Sequence, residues 1–433
     1  MRRGAYTLAL RAAAPLVWLW MARRARRAGG EWGIFSGARF GRPDPAGPAP
    51  FARSPVWVHA VSLGETRAAQ PLVQALLDRG LPVLLTHTTA TGRAEGARLF
   101  AAAIAAGQLR QTWLPYDFPG AVYGFLQRYT PRCGLLIERE VWPNLLAQAR
   151  RQGVQMALVS ARFSASSLRQ AGWMGQALRD ALAGLDAVLA QTPEDARRLE
   201  QAGARHVRVT GNLKFDLALP AGQVQAGRAW RQALGRPVVA VASTREGEDA
   251  MFAQAMRARA GGGRPVLYVL IPRHPQRFDE AEARLREAGL SCVRRSRAGA
   301  PAEALPPVAG DVDVVLGDTL GEMAFYCAAA DVAIVAGSFA PLGGQNLIEA
   351  CAAGVPVVVG PHTFNFKQAA QDAVAAGAVL RAADAPAALD AALALLDDDE
   401  RRQAMGRAAR NWSASHAGAT ERTLQALEEW LET

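Results

Sequence analysis

A stretch near the C-terminal end of the chain combines a glycine turn, a short helix and a carboxylate. Gly343 and Gly344 precede an apolar helix predicted over residues 346–353, and a buried strand is predicted over residues 355–359. The free N–H groups and the positive dipole end at a helix start favour phosphate. Glu349 lies one turn after Asn346, where a carboxylate can accept hydrogen bonds from a ribose. The stretch therefore predicts a nucleotide-binding strand–loop–helix–strand unit.

Three glutamates follow predicted strands in the first half of the chain. Glu65 follows a strand predicted over residues 56–61 and begins the next helix. It is either a carboxylate that complements the helix dipole or a general base whose pKa is raised by apolar neighbours. Glu138 and Glu140 lie on either side of Arg139, just after a strand predicted over residues 135–137. Alternate residues at a strand end point the same way, so the two acids are expected to lie side by side. They either form an ion pair with a nearby arginine or face a reacting group.

Candidate phosphate-binding groups follow predicted strands in the second half of the chain. Arg273 and His274 come after a strand predicted over residues 266–271. A planar, permanently charged guanidinium is a natural partner for phosphate, whereas His274 alone indicates a structural turn residue. The loop 317–323, which contains two glycines, follows another strand and opens a helix. One such loop is a weak signal, but several together at strand ends indicate a nucleotide site.

Several site classes are missing from the sequence. It has no GxxxxGK[ST] motif, and no GxGxxG motif follows the first strand, so a P-loop enzyme is excluded and a dehydrogenase is disfavoured. No Asp-rich metal motif stands out, which favours a metal-independent reaction. Four scattered cysteines indicate reduced thiols rather than disulfides or a zinc site. The net charge of +10, carried almost entirely by arginine, favours an anionic partner such as a membrane surface.

Two runs of alternating strands and helices must position these residues. The alternation predicts an α/β protein of two doubly wound, Rossmann-like domains with parallel sheets, facing a cleft in which ligands bind at the carboxyl ends of the strands. The predicted domains cover residues 56–220 and 221–410. A Pro/Gly-rich linker is predicted over residues 29–55, and a C-terminal helix over residues 411–433.

The first 28 residues predict a membrane-associated helix. Residues 12–22 are apolar and contain two tryptophans, with arginines on both sides. Eleven residues are too few to span a bilayer, although residues 6–22 approach the needed length if Arg11 snorkels. No convincing cleavage site follows, which disfavours a signal peptide. The pattern favours an interfacial or marginally spanning anchor with its basic flanks on the cytoplasmic side; the alternative is an ordinary core helix.

Seven motifs occur in an order that resembles the 3-deoxy-D-manno-octulosonic acid (Kdo) transferases. They are VSLGE (61–65), LPYDFP (114–119), IEREVWPN (137–144), GNLKFD (211–216), PRHPQRF (272–278), GDTLGEM (317–323) and GGQNLIEA (343–350). The resemblance covers essentially the whole chain, including the N-terminal apolar segment. It implies the two-domain GT-B fold of inverting glycosyltransferases. It also implies transfer of Kdo from CMP-Kdo to the lipid A precursor at the cytoplasmic face of the inner membrane, in lipopolysaccharide biosynthesis.

The resemblance also implies roles for individual residues. Glu65 matches the proton acceptor, which would deprotonate the glucosamine hydroxyl that attacks the donor, and Glu138 and Lys214 match residues that stabilise the transition state. Residues 56–220 would then bind the acceptor and residues 221–410 the CMP-sugar, with no metal, cofactor or nucleic acid. The positions that match CMP-binding residues are Pro272, Arg273, Leu320, Gly321, Glu322, Met323, Asn346, Leu347, Ile348 and Glu349.

Three departures from the family pattern leave some details open. Arg139 stands where the family usually has threonine, Gln345 where it has histidine, and residues 160–167 read SARFSASS instead of NARLS-x-RS. The number of sugars transferred therefore stays open. The alternatives are another GT-B glycosyltransferase or a sugar-nucleotide epimerase using UDP, and a non-catalytic nucleotide- or lipid-binding protein. The intact acidic and basic positions disfavour the last of these.

Overall fold

The computed structural model divides into two compact units. It describes residues 1–28, 32–42, 51–259, 265–299 and 306–432. The first unit comprises Met1–Leu217 together with His416–Thr433, and the second comprises Ala218–Ser415. The division after Leu217 lies three residues before the boundary predicted between residues 220 and 221, whereas the C-terminal residues return to the first unit.

The first unit is built on a seven-stranded parallel sheet with the order β3-β2-β1-β4-β5-β6-β7. Its strands are β1 (Val56–His59), β2 (Val83–His87), β3 (Leu109–Trp113), β4 (Cys133–Ile137), β5 (Gln155–Ala161), β6 (Ala187–Ala190) and β7 (Val207–Val209). The chain winds outward from β1 to β3 and then returns to the other side of β1 to form β4. Ligands of doubly wound sheets bind outside the strand ends at such a reversal, so the carboxyl ends of β1 and β4 are where a site is expected.

Helices cover both faces of this sheet, which is why its central strands are continuous apolar runs. Along β1, Val56 and Val58 pack into one core with Leu72 of the following helix, while Trp57 between them packs into the opposite core with Phe125. The helices of this part of the chain are α1 (Arg3–Ala28), α2 (Leu63–Asp78), α3 (Ala90–Leu99), α4 (Ala101–Ala105), α5 (Pro119–Tyr129), α6 (Pro143–Arg151), α7 (Ala165–Met174), α8 (Gln176–Ala183) and α9 (Pro193–Gln201).

Helix α1 is attached to the first unit in both of its halves. Near its start, the Tyr6 hydroxyl donates to Asp117 at 2.9 Å, and the Thr7 hydroxyl donates to Asn144 at 3.0 Å. In its second half, Trp18 packs edge-on against an aromatic group that includes Phe40. Residues 3–26 are long and apolar enough, by length and composition, to cross a membrane, yet only 11% of the most apolar window is buried.

Part of the predicted linker is folded onto the first unit. Residues 29–31 and 43–50 of that linker lie outside the described residues, but residues 32–42 contain a 3₁₀ helix (Gly37–Phe40). Arg39 in this helix is 1% exposed and donates to the carbonyls of Trp32, Leu114 and Thr88. Its guanidinium also lies 4.5 Å from the ring centroid of Trp113. The linker prediction is therefore wrong for residues 32–42, because composition did not reveal this buried cation.

The second unit repeats the architecture with a parallel sheet in the order β10-β11-β9-β8-β12-β13-β14. Its strands are β8 (Val238–Thr244), β9 (Leu267–Pro272), β10 (Cys292–Arg294), β11 (Val314–Leu316), β12 (Val332–Val335), β13 (Val357–Val359) and β14 (Val379–Arg381). The winding reverses between β8 and β12, which makes their carboxyl ends the expected ligand edge of this unit.

Most of the remaining helices belong to the second unit, and the last two pack on the first. The second unit contains α10 (Ala221–Ala233), α11 (Glu248–Arg257), α12 (Phe278–Glu287), α13 (Met323–Ala329), α14 (Ile348–Ala353), α15 (Lys367–Ala375), α16 (Ala385–Asp397) and α17 (Asp399–Ser415); α18 (Ala419–Ala426) and α19 (Glu428–Leu431) pack on the first. The single helix predicted over residues 411–433 is wrong. Gly418 adopts a left-handed φ of 89° and donates its N–H to Asp216 at 2.6 Å, which ends one helix and starts another.

Four strands were missing from the sequence prediction: β3, β7, β10 and β14. Each is an outermost strand of its sheet, and β7 and β10 contain no fully buried residue. Strands of three residues without an apolar run give no periodic signal. The predicted parallel, doubly wound architecture is nevertheless confirmed in both units.

Candidate functional site

Glu65 lies in the first turn of α2, directly after β1. Ser62 caps this helix, and its hydroxyl oxygen accepts the Glu65 N–H at 3.5 Å. A Glu65 carboxylate oxygen accepts the Val61 N–H at 2.6 Å. This arrangement is close to a capping box, in which a helix-start residue and an acid three positions later satisfy each other's backbone donors. It holds the carboxylate at the reversal point of the first sheet.

The pKa of Glu65 is raised to about 8. Burial is the largest cause, and the nearby carboxylates of Glu138 and Glu140 add to it. The Val61 N–H and the Lys214 ammonium act in the opposite direction but do not compensate. A carboxylate with a pKa in this range is a stronger base than an ordinary glutamate and is still partly ionised near neutral pH. These are the properties that a general base requires.

Glu138 ends β4 in a backbone conformation that is costly for a residue with a side chain. Its φ is 64°, in the left-handed region, and the residue is only 6% exposed. Non-glycine residues held there cost on the order of 1 kcal/mol or more and concentrate at functional sites. The turn also stops the strand. The expectation that Glu138 and Glu140 point the same way, as alternate residues of a strand do, is therefore wrong, and the two acids bond to different partners.

Lys214 provides the counter-charge of Glu138. Its Nζ donates to the Glu138 carboxylate at 2.6 Å, although the two residues are 76 positions apart in the chain. Burial by itself raises the pKa of Glu138, but the attraction of Lys214 and two nearby arginines outweighs it, so the pKa lies below the usual value. The lysine is positioned by a 3₁₀ helix (Leu213–Asp216), which Asn212 caps by accepting the Lys214 N–H at 3.0 Å.

Glu140 belongs to a second polar group beside the same strand ends. One of its oxygens accepts the Trp142 indole N–H at 2.8 Å and lies 3.7 Å from Nε2 of His59. His59 is fully buried, and its Nδ1 lies 2.9 Å from the Thr86 hydroxyl. Among the described residues, its Nε2 has no hydrogen-bond partner. Sequence reasoning did not single out His59; a polar residue as the last member of a buried strand was the available signal.

The predicted nucleotide-binding residues of the second unit all lie at or after the ends of strands of one sheet. Pro272 is the last residue of β9 and Arg273 follows it, residues 320–323 follow β11, and residues 346–349 follow β12. Since β9 and β11 are neighbours and β12 pairs with β8 beside them, these segments share one carboxyl edge around the reversal point. In a doubly wound sheet this edge is where ligands bind, so the assignment of these residues to a nucleotide stays a prediction.

Arg273 is held in place by two contacts. Its backbone N–H donates to the Thr244 carbonyl at 2.9 Å, and its Nε donates to the Gln345 side-chain oxygen at 3.3 Å. Gln345, at the position where the family usually has histidine, thus orients the guanidinium by a neutral hydrogen bond. Burial, followed by the charges of Arg273 and other arginines, lowers the pKa of His274, which favours its neutral form.

The residues after β11 place a carboxylate beside an exposed apolar side chain. Glu322 caps α13, accepts a hydrogen bond from Arg295 at 2.8 Å, and also accepts the Thr319 hydroxyl. Leu320 is 66% exposed, and the backbone oxygen of Gly321 accepts the Gln223 side-chain amide at 2.9 Å. An exposed leucine next to oriented polar groups can cover one face of a bound base.

The glycine turn and helix after β12 differ in part from the prediction. Gly343 and Gly344 adopt φ values of 93° and 79°, as a turn requires. Helix α14 begins at Ile348 rather than at residue 346, because the Asn346 side chain accepts the Ile348 N–H at 3.2 Å. The Asn346 amide also donates to Glu349 at 3.2 Å, which confirms that the two lie on one face. One of the backbone donors assigned to phosphate is therefore occupied.

Glu248 is a structural residue of this edge that the sequence did not single out. It is fully buried, and its carboxylate accepts the N–H groups of Arg245, Gly337, Phe339 and Ala340 at 2.6–3.2 Å. The carboxylate thereby ties the loop after β8 to the loop after β12. An acid at a helix start is common, so its long-range partners gave no sequence signal.

The described residues offer no cluster of metal ligands. In the described part of the chain no group of three or more His, Cys, Asp or Glu side chains could hold a metal ion. Asp311 and Asp313 do spell a DxD pattern, but the Asp313 carboxylate accepts the N–H and the hydroxyl of Ser291. A metal-independent reaction stays a prediction.

Comparison with known proteins agrees with the motifs. Residues 36–217 match a family model described as 3-deoxy-D-manno-octulosonic-acid transferase (kdotransferase), and residues 308–412 match glycosyl transferases group 1. The chain is 71% identical over 436 residues to the 3-deoxy-D-manno-octulosonic acid transferase of Bordetella pertussis, covering 100% of both chains. It is 31% identical over 386 residues to the enzyme of that name from Haemophilus influenzae, covering 87% of each.

A solved structure shows the same fold without close sequence similarity. The UDP-GlcNAc 2-epimerase of Neisseria meningitidis, bound to UDP-GlcNAc, is 14% identical, with a TM-score of 0.58 over 86% of this chain and 99% of that chain. At this identity the likeness shows the GT-B-like architecture alone. Since the family model and both relatives agree, the chain is a glycosyltransferase and belongs to the 3-deoxy-D-manno-octulosonic acid transferase family.

Proposed function

We propose that this Kdo transferase moves Kdo from CMP-Kdo to the lipid A precursor, with inversion at the anomeric carbon and Glu65 as the general base. The observation that carries the proposal is the half-buried Glu65, with a pKa of about 8, electrostatically coupled to the Glu138–Lys214 pair. The donor and acceptor are those that the motifs implied.

The proposed step is a single displacement. Glu65 takes the proton of the acceptor hydroxyl, whose oxygen forms a bond to the anomeric carbon of Kdo from the face opposite CMP. The bond between that carbon and the CMP phosphate oxygen breaks, and CMP leaves with the electron pair. A raised pKa suits Glu65 to this role, because the proton it accepts is then held firmly.

Lys214 and Glu138 would act on the charges that change in this step. The Lys214 ammonium is held at 2.6 Å from Glu138 and stays oriented without reorganisation. Fixed charges of this kind stabilise a transition state more than mobile water does, because their orientation is set during folding. The sugar at this stage resembles an oxocarbenium ion, which a preorganised carboxylate stabilises.

The second unit supplies the groups that would hold CMP. Arg273 carries a permanent charge and is oriented by Gln345, so it suits the phosphate. Glu349 and Glu322 are carboxylates that suit ribose hydroxyls, and the exposed Leu320 suits one face of the cytosine. The residues are the ones that the family resemblance assigned to CMP.

We also propose that α1 lies in the membrane interface rather than across the bilayer. Tyr6 and Trp18, which are both fixed to the first unit, are separated by about 18 Å along the helix axis. A helix fixed over that length runs along its own domain. Its other side exposes Leu8 and Leu16, each 71% exposed, and Trp20, 57% exposed, which suits insertion to the depth of the headgroups.

The proposed reaction is tested by offering different donors. The purified full chain is incubated with a tetraacylated lipid A precursor and either CMP-Kdo or UDP-N-acetylglucosamine, and the lipid products are weighed by mass spectrometry. The proposal expects the mass of the precursor to increase by whole Kdo units with CMP-Kdo only. A product or epimerised sugar formed from the UDP donor, with none from CMP-Kdo, would overturn it.

A further inference from the structure

A basic groove lies on the first unit. It has a volume of about 810 Å³ and is lined by α1, α6, α8 and the segment that precedes β7. Four guanidinium groups line it, and Asp180 is the one carboxylate among its lining residues; Leu146 contributes to the apolar part of its surface. The four basic residues are Arg3, Arg150, Arg151 and Arg205. None of the lining residues belongs to the predicted catalytic or nucleotide-binding set.

These arginines carry charge that the protein itself does not neutralise. Within the described residues none of the four makes an ion pair or a side-chain hydrogen bond, and three of them are exposed. Asp180 instead accepts the Gln176 amide at 2.6 Å, in a contact on α8 itself. Elsewhere on the chain, arginines such as Arg277 and Arg294 pair with carboxylates. Four unneutralised guanidinium groups around one groove favour an anionic ligand.

The position of the groove next to α1 indicates that the anion is a lipid phosphate. The Met1 carbonyl accepts the Ala177 N–H at 2.8 Å, and Thr7 bonds to Asn144, so the start of α1 is fixed at the rim of the groove. From there α1 continues with its apolar side exposed, starting at Leu8. If that side enters the headgroup layer, the groove lies at the level of the lipid phosphates. A guanidinium binds phosphate with two parallel hydrogen bonds, which fits the shape of this site.

We propose that this groove binds the phosphate headgroup of an anionic glycerophospholipid. Its apolar lining, which includes Leu146 and Ala181, accommodates the glycerol and the first carbons of the acyl chains. Such a site fixes the orientation of the first unit on the membrane, because a helix in the interface can otherwise roll about its axis. The proposal rests on the interfacial location proposed for α1, and the experiment separates the two.

The experiment measures partitioning of the full chain into lipid vesicles by co-sedimentation. One variant replaces Arg150, Arg151 and Arg205 by glutamine. Its matched control, with the same change in net charge, replaces three exposed arginines of the second unit, Arg228, Arg401 and Arg407. Vesicles contain phosphatidylcholine alone, phosphatidylcholine with phosphatidylglycerol, or phosphatidylcholine with the lipid A precursor. Thermal unfolding confirms that both variants fold.

The proposal expects a selective loss. Each arginine near an anionic surface contributes about fivefold to partitioning, so the groove variant should bind phosphatidylglycerol vesicles about 100-fold less tightly, while the control stays close to the parent. Equal binding of the groove variant and the control to phosphatidylglycerol would overturn the proposal. So would a loss confined to vesicles with the lipid A precursor, which would assign the groove to the acceptor.

A third variant, Leu16→Ser with Trp20→Ser, separates the interfacial location proposed for α1 from the lipid binding proposed for the groove. If this variant alone loses binding to every vesicle, the interfacial helix stands and the groove proposal fails. If it binds like the parent while the groove variant does not, the location proposed for α1 is wrong and the groove alone holds the protein to the membrane.

Discussion

The replacement of Glu140 by glutamine should move the pH dependence of transfer. Glutamine keeps an oxygen that can accept the Trp142 indole N–H, which Glu140 accepts at 2.8 Å, so the local packing is retained. The change removes one of the two carboxylates that raise the pKa of Glu65. The prediction therefore isolates an electrostatic effect on the base.

The size of the effect follows from the causes of the shift. The pKa of Glu65 rises from 4.5 to about 8, with burial first, Glu138 second and Glu140 third among the causes that raise it. We therefore expect the substitution to lower the pKa of Glu65 by about 1 unit, which corresponds to about 1.4 kcal/mol. At pH 7, the ionised fraction of Glu65 would rise from about one tenth to about one half. The plateau at high pH would fall, because a base of lower pKa accepts a proton less strongly.

The assay is the initial rate of transfer between pH 5 and 10, with saturating acceptor and limiting donor. We expect the rate of the parent enzyme to rise with pH to a plateau, with an apparent pKa near 8, and that of the variant to rise about 1 unit lower. The control is Glu194→Gln, because Glu194 is exposed and its one ion pair among the residues that the structure describes is with Arg198 on its own helix. If the variant and the parent rise at the same pH, the coupling is refuted; a parent midpoint near 4.5 would refute the raised pKa itself.

Four further substitutions test other residues of the site. Lys214→Met leaves Glu138 buried without the ammonium that pairs with it and should lower the free energy of unfolding by about 3 kcal/mol. The loss should be larger at pH 8 than at pH 5, because protonation of Glu138 at the lower pH removes the unpaired charge. Urea titrations at both pH values measure it. Arg273→Gln should weaken CMP binding at least tenfold in calorimetry, whereas Gln345→Ala, which removes only the orienting contact, should have a smaller effect. Glu248→Gln replaces one accepting oxygen by a donor against backbone N–H groups and should cost about 3 kcal/mol in urea unfolding.

The fold could be predicted from the sequence where local patterns decide it. The buried strands of both sheets are short runs of Val, Leu, Ile and Ala, and the glycine turns and strand ends between them are visible in the residues themselves. Edge strands such as β7 and β10 lack this signal because half their surface faces solvent. The folded segment around Arg39 was also missed, since the carbonyls and rings that surround a buried arginine come from distant parts of the chain.

The candidate site was even harder to predict, because its properties depend on residues that are distant in the sequence. The position of Glu65 after a strand indicated a base, but the size of its pKa shift depends on charges that are adjacent only in the folded chain. The Lys214–Glu138 pair and the Glu248 contacts join residues 76 to 92 positions apart, and no spacing rule connects them. The left-handed turn at Glu138 could not be foreseen either, because glutamate has no preference for that conformation.

Glu65 as the general base is the central element of the proposed mechanism. The decisive measurement is the single-turnover rate of Kdo transfer by Glu65→Gln, with enzyme in excess over CMP-Kdo, alongside the affinity of the variant for CMP. We predict that the rate falls by a factor of about 10² to 10⁴ while the affinity for CMP stays within twofold, because a general base contributes to the chemical step and not to donor binding. A variant that transfers Kdo at the parental rate would contradict the account.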